Sequence, residues 1–354
     1  MNARERVRNL ISRKPVDRIA IFDSFWSEVR EDFHAQVVPE DTTLEEYFGF
    51  DIGMFWFEQS FLLPRETQDE TEQYQIVSDD WGTLNKELLH EQTTPGLIGF
   101  AVKDRESWER NYKPLLAYQS DRIEWEKFTK RYQDLRAKDR YAVLSMLDPF
   151  ECTWHKVGPD KQLEMMVLDP DWLLDMYESD TALIEAAWQD MWEKGIQPDA
   201  LWLYGDIAYN AGMMFSPRHY RELLLPFHAR LCDLAHSYGA QVIYHTDGDV
   251  TKAVPLLIEA GIDCLQPMEV KAGVDVRDLK TTYGDRLAFM GNIDARLFQE
   301  NNIAGLEAEI HAKIPPAMEG GGYIYHSDHS IPPGTMFETY KFGLDLIREF
   351  GTYS

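Results

Sequence analysis

Cysteine, basic residues and long apolar runs are scarce in this chain. Its three cysteines are scattered and form no Cys-x-x-Cys pair, so we expect a reducing compartment and no disulfide framework. Lys and Arg total 35 against 61 Asp and Glu, for a formal net charge of −26, which argues against nucleic acid or an anionic membrane as partner. No run approaches the roughly 20 apolar residues of a membrane span. Residues 1–16 contain no apolar segment of a secretory signal, and we expect a cytoplasmic protein.

The motifs of several large enzyme classes are missing as well. The sequence has no G-x-G-x-x-G after a strand, no Walker loop and no G-x-S-x-G elbow, which disfavours dinucleotide, nucleotide triphosphate and serine hydrolase chemistry. The run of three glycines at 320–322 comes before a predicted strand instead of after one. We interpret it as a flexible turn and not as a phosphate loop.

What the chain does contain is a regular alternation of apolar strands and amphipathic helices. This order predicts a parallel sheet covered by helices, and eight strands favour a closed α/β (β/α)8 TIM barrel over an open sheet. We predict a single domain over 1–354, with an N-terminal insertion at roughly 58–138 that includes a hairpin near 74–84. Two helices are predicted between Pro170 and Gly195, the second over 180–194. The predicted strands are 18–22, one within 50–57, 141–147, 200–204, 240–244, 263–266, 287–290 and 323–325.

Polar residues follow the predicted strands at the end where barrel enzymes place their active sites. A single loop carboxylate is more often a helix cap or turn former than a catalyst. Histidine titrates near neutral pH and is not a routine turn former, so His245 and His329 are the stronger candidates. The strand-end residues are Asp23, Asp148, Asp206, His245, Asp247, Gln266, Glu269, Asn292, Asp294, His326, Asp328 and His329.

His245 and Asp247 are two residues apart, so on an extended segment their side chains share a face. With His329 they would provide two imidazoles and one carboxylate, a set that can hold a divalent metal and leave positions open. Without a metal the same groups could act as general acid and base, with Asp23 as a further catalytic candidate. The candidate substrate-binding residues are Asp206, Asn210, Gln266, Trp26, Asp328 and His326. The aromatic residues within 22–57 could line an apolar pocket, although core packing is the commoner role.

Several segments together resemble the uroporphyrinogen decarboxylase superfamily. The resemblance covers nearly the whole chain and implies the same (β/α)8 barrel. The segments are Arg4-Glu5-Arg6-Val7, Pro15-Val16-Asp17-Arg18-Ile19, Gly205-Asp206-Ile207, Ser216-Pro217 with its helix to Gly239, His245-Thr246-Asp247-Gly248, and Gly321 to Pro333.

The resemblance also implies alternative activities, because the superfamily holds both decarboxylases and zinc-dependent methyltransferases that serve corrinoid proteins. The decarboxylases carry an arginine-rich segment after the first strand, where this chain has Asp23-Ser24-Phe25-Trp26-Ser27-Glu28. They also have a histidine that His329 matches. The methyltransferases have His-x-Cys-Gly where this chain has His245-Thr246-Asp247-Gly248, so a carboxylate replaces a thiolate.

We therefore expect a metal-assisted methyltransferase that acts on a small methylated compound or a corrinoid, with His245, Asp247 and His329 as ligands of a divalent metal such as zinc. A separate corrinoid protein would be a partner, and the abundant aromatic residues are compatible with a homodimer. The alternatives are a decarboxylase, which is a lyase, and a non-catalytic protein that binds a small molecule or corrinoid.

Overall fold

Eight parallel strands form the centre of the structure. The computed structural model describes residues 1–90 and 95–353. The strands are β1 (Ala20–Ile21), β2 (Ile52–Phe55), β3 (Glu66–Glu70), β4 (Tyr74–Ser78), β5 (Leu84–Leu88), β6 (Gly96–Gly99), β7 (Tyr141–Leu147), β8 (Ala200–Tyr204), β9 (Ala208–Tyr209), β10 (Gly212–Met213), β11 (Gln241–Thr246), β12 (Cys264–Pro267), β13 (Ala288–Met290) and β14 (Tyr323–Tyr325). The main sheet has the order β1-β14-β13-β12-β11-β8-β7-β2, and every pairing in it is parallel.

Asp51 joins the two edge strands of this sheet, β1 and β2. Its backbone N–H donates to the carbonyl of Ile21 at 2.8 Å, and its carboxylate accepts from the Ile21 N–H at 2.8 Å. The guanidinium groups of Arg6 and Arg18 bind the same buried carboxylate. The sheet is therefore a nearly closed barrel, and the (β/α)8 fold predicted from the sequence is confirmed.

Helices surround the barrel and follow most of its strands. Within the described residues, none of them combines the length and apolar character needed to cross a membrane. The α-helices are α1 (Ala3–Ile11), α2 (Ser27–Gln36), α3 (Leu44–Tyr47), α4 (Arg105–Ser107), α5 (Trp125–Ala137), α6 (Pro149–Val157), α7 (Pro159–Leu168), α8 (Pro170–Glu193), α9 (Pro217–His219), α10 (Leu225–Ser237), α11 (Val254–Ala260), α12 (Val276–Tyr283), α13 (Ala295–Gln299), α14 (Ile303–Met318) and α15 (Phe337–Phe350). Turns of π or 3₁₀ helix occupy Trp108–Tyr112, Lys113–Leu116, Ser120–Arg122, Tyr220–Leu224 and Val270–Ala272.

The barrel strands are apolar along their length because both of their faces are buried. Leu201, Leu203, Val242 and Ile243 on β8 and β11 are all fully buried. In a barrel of this kind, helices cover the outer face and side chains fill the interior. The hydrophobic core is consequently continuous from the barrel axis to the helical layer, and the polar side chains are left at the strand ends.

A four-stranded antiparallel sheet, β3-β4-β5-β6, lies between β2 and β7 in the chain. The predicted hairpin near 74–84 is confirmed by β4 and β5, but the two outer strands were not predicted. β3 reads Glu-Thr-Gln-Asp-Glu and is exposed throughout, while β6 is four residues long with a glycine at each end. Neither segment has the alternation of apolar and polar residues on which strand prediction rests.

A buried ion pair between Lys156 and Asp180 joins helices α6 and α8. The two side chains are almost fully buried and in direct contact, and the ammonium group lies 5.5–6.0 Å from the ring centres of Phe61, Trp81 and Trp108. The prediction of a separate helix over 180–194 was wrong. α8 continues through Asp180, whose carboxylate binds a lysine instead of opening a new helix.

Candidate active site

Asp206, His245 and Asp247 converge at the C-terminal end of the barrel. His245 is the penultimate residue of strand β11, and Asp247 follows that strand directly. Asp206 comes shortly after β8, the neighbour of β11 in the sheet. Nε2 of His245 is 3.7 Å from Oδ1 of Asp206 and 3.8 Å from Oδ1 of Asp247. In the described part of the chain, these three residues form a group whose potential ligand atoms all lie within 4.8 Å of one another.

The orientation of the His245 ring is set by Gln266. The two residues are paired in the register of β11 and β12, and Nδ1 of His245 donates a hydrogen bond to Oε1 of Gln266. The ring also packs against Tyr204, with the ring centres 4.5 Å apart. With its proton on Nδ1, the imidazole presents the lone pair of Nε2 to the two carboxylates.

The two carboxylates are held against each other despite their like charge. Oδ1 of Asp206 accepts the backbone N–H of Asp247 at 2.9 Å. Oδ1 of Asp247 is buried and has no hydrogen-bond partner in the described residues. Burial raises the pKa of Asp247, and Asp206 adds to the rise while His245 opposes it. An unsatisfied buried carboxylate oxygen is costly, so this position is suited to a proton or a cation.

Glu151 lies behind Asp206 and was missed by the sequence reasoning. Its Oε2 accepts the backbone N–H of Asp206 at 3.3 Å. Burial, reinforced by Asp206 and Asp148, raises the pKa of Glu151 to about 8. The sequence could have indicated Glu151 by its position. It lies in the first turn of helix α6, which Asp148 caps directly after barrel strand β7.

His329 lies on the opposite side of Asp247. Its Nε2 is 3.8 Å from Oδ2 of Asp247, and its side chain is 41% exposed, against 17% for His245. The predicted partners His245, Asp247 and His329 are therefore neighbours, with the Asp247 carboxylate between the two imidazoles. Asp206, which the sequence suggested only for substrate binding, completes the close group in place of His329.

Asp23 and His326 belong to a buried network on the other side of the barrel mouth. The carboxylate of Asp23 accepts hydrogen bonds from Tyr325, Tyr340 and Ser327, and burial raises its pKa. Nδ1 of His326 lies 3.7 Å from Asp23, and burial lowers the pKa of this histidine. Nε2 of Gln266 is 3.4 Å from Nδ1 of His326, which connects this network to His245.

The remaining predicted residues lie outside the cluster. Asp328 accepts the backbone N–H groups of Val270 and Ala295, both at 2.8 Å, so its carboxylate ties two neighbouring loops together. Asn210 is exposed at the turn between β9 and β10. Trp26 precedes helix α2 and packs partly against the hydrophobic core.

The donor set does not suit the thiolate-bound zinc that the superfamily resemblance implies. Cys152, Cys232 and Cys264 are buried, and burial raises the pKa of all three thiols. The cluster instead offers one imidazole nitrogen and carboxylate oxygens, which are harder ligands. A divalent cation that accepts nitrogen and oxygen donors fits these residues.

Comparisons with known proteins agree with the barrel. The sequence model of the uroporphyrinogen decarboxylase (URO-D) family matches residues 157–350, more than half of the chain, and this region includes Asp206, His245, Asp247 and His329. No curated protein sequence matches the chain significantly. Among solved structures, a methyltransferase from Methanosarcina mazei has a TM-score of 0.66 and 17% sequence identity, and the similarity covers 99% of each chain. At this identity the likeness shows the fold alone.

Two further solved structures are more distant. A xylose isomerase-like TIM barrel protein from Mycobacterium smegmatis in complex with magnesium has a TM-score of 0.35 and 14% identity, over 67% of this chain and 81% of that chain. A D-psicose 3-epimerase from Clostridium cellulolyticum H10 has a TM-score of 0.36 and 8% identity, over 67% of this chain and 83% of that chain. Structural similarity this weak indicates nothing about the function of the chain.

Proposed function

The chain belongs to the URO-D family, and on this premise we propose that it is a metal-assisted methyltransferase acting on a small methylated compound or on a corrinoid. The observation that carries the proposal is the close group of Asp206, His245 and Asp247 at the barrel mouth. Oδ1 of Asp247 is buried and has no hydrogen-bond partner among the described residues, which supports a cation at this position, since metal binding would satisfy that oxygen.

The residues around the group have distinct roles in this proposal. A divalent cation, with zinc among the candidates, would supply a Lewis acid that polarises the atom bonded to the methyl group. Gln266 holds the His245 tautomer that leaves Nε2 free to bind the cation. In this proposal His329, which is more exposed and lies 3.8 Å from the far oxygen of Asp247, holds or moves a proton at the substrate. A corrinoid substrate would arrive on a separate protein.

Decarboxylation is the second candidate, and the family match itself favours it. The segment after β1 offers little for a substrate with many carboxylates. It holds Asp23 and no arginine before Arg30, whose guanidinium is already paired with Glu45 at 3.2 Å. We therefore expect no turnover of uroporphyrinogen above background, and clear turnover would favour the lyase over the methyltransferase.

Metal analysis and a methyl-transfer assay test the proposal. The protein is stripped with a chelator and titrated with zinc, manganese or cobalt by calorimetry. It is then assayed by absorbance for methyl transfer from a methylamine or a methyl ether to free cob(I)alamin, which a chemical reductant keeps in the Co(I) state. We expect binding of one cation per chain at micromolar concentration or below, and its loss in His245→Ala and in Asp247→Asn. The matched control is His90→Ala, which removes an exposed histidine shortly after β5 and outside the close group.

The outcomes separate the candidate functions. Absence of cation binding, or an equal loss in His90→Ala, would rule out the metal centre. Cation binding without transfer from any methyl donor would instead identify a binding protein. Unfolding of His245→Ala, detected by circular dichroism, would show that the histidine has a structural role, and Asp247→Asn then provides the test.

A further inference from the structure

A cavity of about 790 Å³ lies beside the candidate active site. It is bounded by the C-terminal ends of β1 and β2 and by helix α5. Cavities that bind small molecules commonly measure roughly 300–1,000 Å³, so this space is large enough for a molecule with one or two rings. The metal-binding group of Asp206, His245 and Asp247 does not line it.

The walls of the cavity are mostly aromatic. Phe22 follows the first barrel strand, Phe55 ends the second, and Trp56 and Phe57 come directly after it. Phe128 faces them from α5. Phe22, Phe55, Phe57 and Phe128 are almost fully buried, whereas Trp56 is 69% exposed. An exposed tryptophan at the edge of an apolar cavity offers a flat surface on which a planar molecule can stack. Some aromatic residues of the segment 22–57 therefore line this cavity, and most of the others pack in the core.

Most charged side chains of the cavity wall already have partners. Arg30 is paired with Glu45, and Lys127 with Glu124. Arg122 donates to the backbone carbonyls of Glu58, Ser60 and Leu115. These groups consequently contribute little charge that a ligand could use.

Arg131 is the exception among the described residues of the wall. Its Nε donates to the carbonyl of Met54 at 3.2 Å, which holds the side chain at the end of β2. No carboxylate of the described residues lies within 4.0 Å of the Arg131 guanidinium, so Arg131 forms no ion pair with them. The neighbouring Lys130, by contrast, is paired with Asp134 at 2.6 Å. A half-buried guanidinium with two free nitrogen atoms is a ready partner for a carboxylate, which it can bind through two hydrogen bonds.

The cavity is connected to the reactive cluster through a short series of polar contacts. Asp23 and Ser24 line one side of it. Oγ of Ser24 lies 3.4 Å from Nε2 of His326, His326 contacts Gln266 at 3.4 Å, and Gln266 binds His245. A molecule in the cavity would therefore be connected to His245 through three side chains and would not displace the metal-binding group.

We propose that this cavity binds a planar apolar molecule that carries one carboxylate, with the rings against Trp56 and Phe57 and the carboxylate on Arg131. The binding itself is independent of the proposed methyl transfer. Only the further step of identifying this molecule with the methylated substrate rests on the proposed function.

Calorimetry with naphthoate and its neutral analogue naphthamide tests the inference on protein stripped of metal. We expect naphthoate to bind at least about tenfold more tightly than naphthamide, because a charged hydrogen-bonded pair contributes about 1.5 kcal/mol or more. Arg131→Gln should abolish this preference by weakening naphthoate alone. Trp56→Ala should weaken both ligands to a similar extent, since both have the same rings.

Lys130→Gln is the matched control, because it removes the neighbouring positive charge of α5 outside the cavity. It should leave both affinities within about twofold of the original. No binding of naphthoate, or an unchanged preference in Arg131→Gln, would overturn the inference. Neither result would alter cation binding by Asp206, His245 and Asp247, so the two proposals fail separately. Thermal unfolding of each variant checks that the substitutions leave the fold intact.

Discussion

Gln266 accepts a hydrogen bond from Nδ1 of His245, its direct neighbour in the register of β11 and β12. This contact places the proton on Nδ1 and leaves Nε2 as the only ring atom available to Asp206, Asp247 or a cation. The tautomer of a metal-binding histidine is commonly set by such a partner. Gln266 therefore acts on the candidate metal centre through His245.

Gln266→Leu should weaken divalent cation binding by about 10- to 100-fold, the usual effect of losing the partner of a ligating histidine. The substitution keeps the size of the side chain but removes the acceptor, so the ring can rotate or change tautomer. Calorimetric titration with zinc measures the change.

The control is Gln133→Leu, which alters an exposed glutamine on α5 and should leave the affinity unchanged. Equal affinities in Gln266→Leu and the original protein would show that Gln266 does not position His245.

Gly205→Ala should disturb the position of Asp206. A Cβ atom at Gly205 would lie 2.1 Å from Oδ2 of Asp148, and that oxygen is held by hydrogen bonds from His228 at 2.8 Å and Tyr244 at 2.9 Å. Because this network is fully buried, we expect overpacking to lower the free energy of unfolding by about 1–3 kcal/mol and to weaken cation binding. Urea unfolding and calorimetry measure the two effects.

Gly96→Ala provides the comparison on the peripheral sheet. Among the described residues, a Cβ atom there has no neighbour closer than 3.9 Å, so stability and cation affinity should both stay close to the original values. If Gly205→Ala behaved in the same way, the close packing between Gly205 and Asp148 would have no part in placing Asp206.

Lys156→Met should lower the free energy of unfolding by about 3–5 kcal/mol, because it leaves Asp180 buried without its counterion. The double variant Lys156→Met with Asp180→Leu should recover most of this loss, since two apolar side chains can replace a buried pair at little cost. Urea unfolding of the single and double variants measures the difference. A double variant no more stable than Lys156→Met would contradict this account.

The free energy of unfolding of Lys156→Met should also depend strongly on pH. Burial raises the pKa of Asp180 to about 6 even with Lys156 beside it, and removal of the ammonium group should raise it further. A carboxyl group whose pKa is raised on folding holds its proton more tightly in the folded state. The free energy of unfolding therefore falls as the pH rises from the pKa of the unfolded state toward the pKa of the folded state. Lys156→Met should therefore lose more stability between pH 5 and pH 8 than the original protein, while the double variant should not.

The barrel was predictable because parallel strands buried on both faces leave a plain signal. Ala200–Tyr204 is apolar throughout and is followed at once by Gly205 and Asp206, so both the strand and its polar end could be identified. The exposed strand Glu66–Glu70 could not, because it has no apolar face and Thr67 is its one residue of a type favoured in strands. Its pairing depends on the neighbouring strand and not on its own sequence.

The candidate site was predicted in part for a similar reason. His245 and Asp247 were identified as a pair because their spacing along one strand fixes their common face. The third member depends on the loops of neighbouring strands, whose conformations are not encoded in residue spacing. Asp206 comes close to His245 because Tyr204 and His245 are paired in the register of β8 and β11, and that register was not available from the sequence.

Substitutions of Asp206 and of His329 should therefore have different effects on cation binding and on the rate of methyl transfer. Asp206→Asn should weaken cation binding by at least about tenfold, because it removes the charge of a proposed ligand. His329→Gln should change cation affinity by less than about threefold and mainly lower the rate of methyl transfer, since the ring of His329 lies 3.8 Å from the far oxygen of Asp247 and outside the close group.

Asp249→Asn is the control for loss of a carboxylate in the same loop, because Asp249 binds Thr251 in the turn after β11 and not the cluster. Calorimetry of the three variants in parallel gives the affinities, and the cobalamin assay gives the rates. The opposite pattern, with cation affinity lost in His329→Gln and kept in Asp206→Asn, would favour the ligand set His245, Asp247 and His329 predicted from the sequence. In that case the loop carrying His329 would have to move toward His245 when the cation binds, because the close group described above contains Asp206 instead.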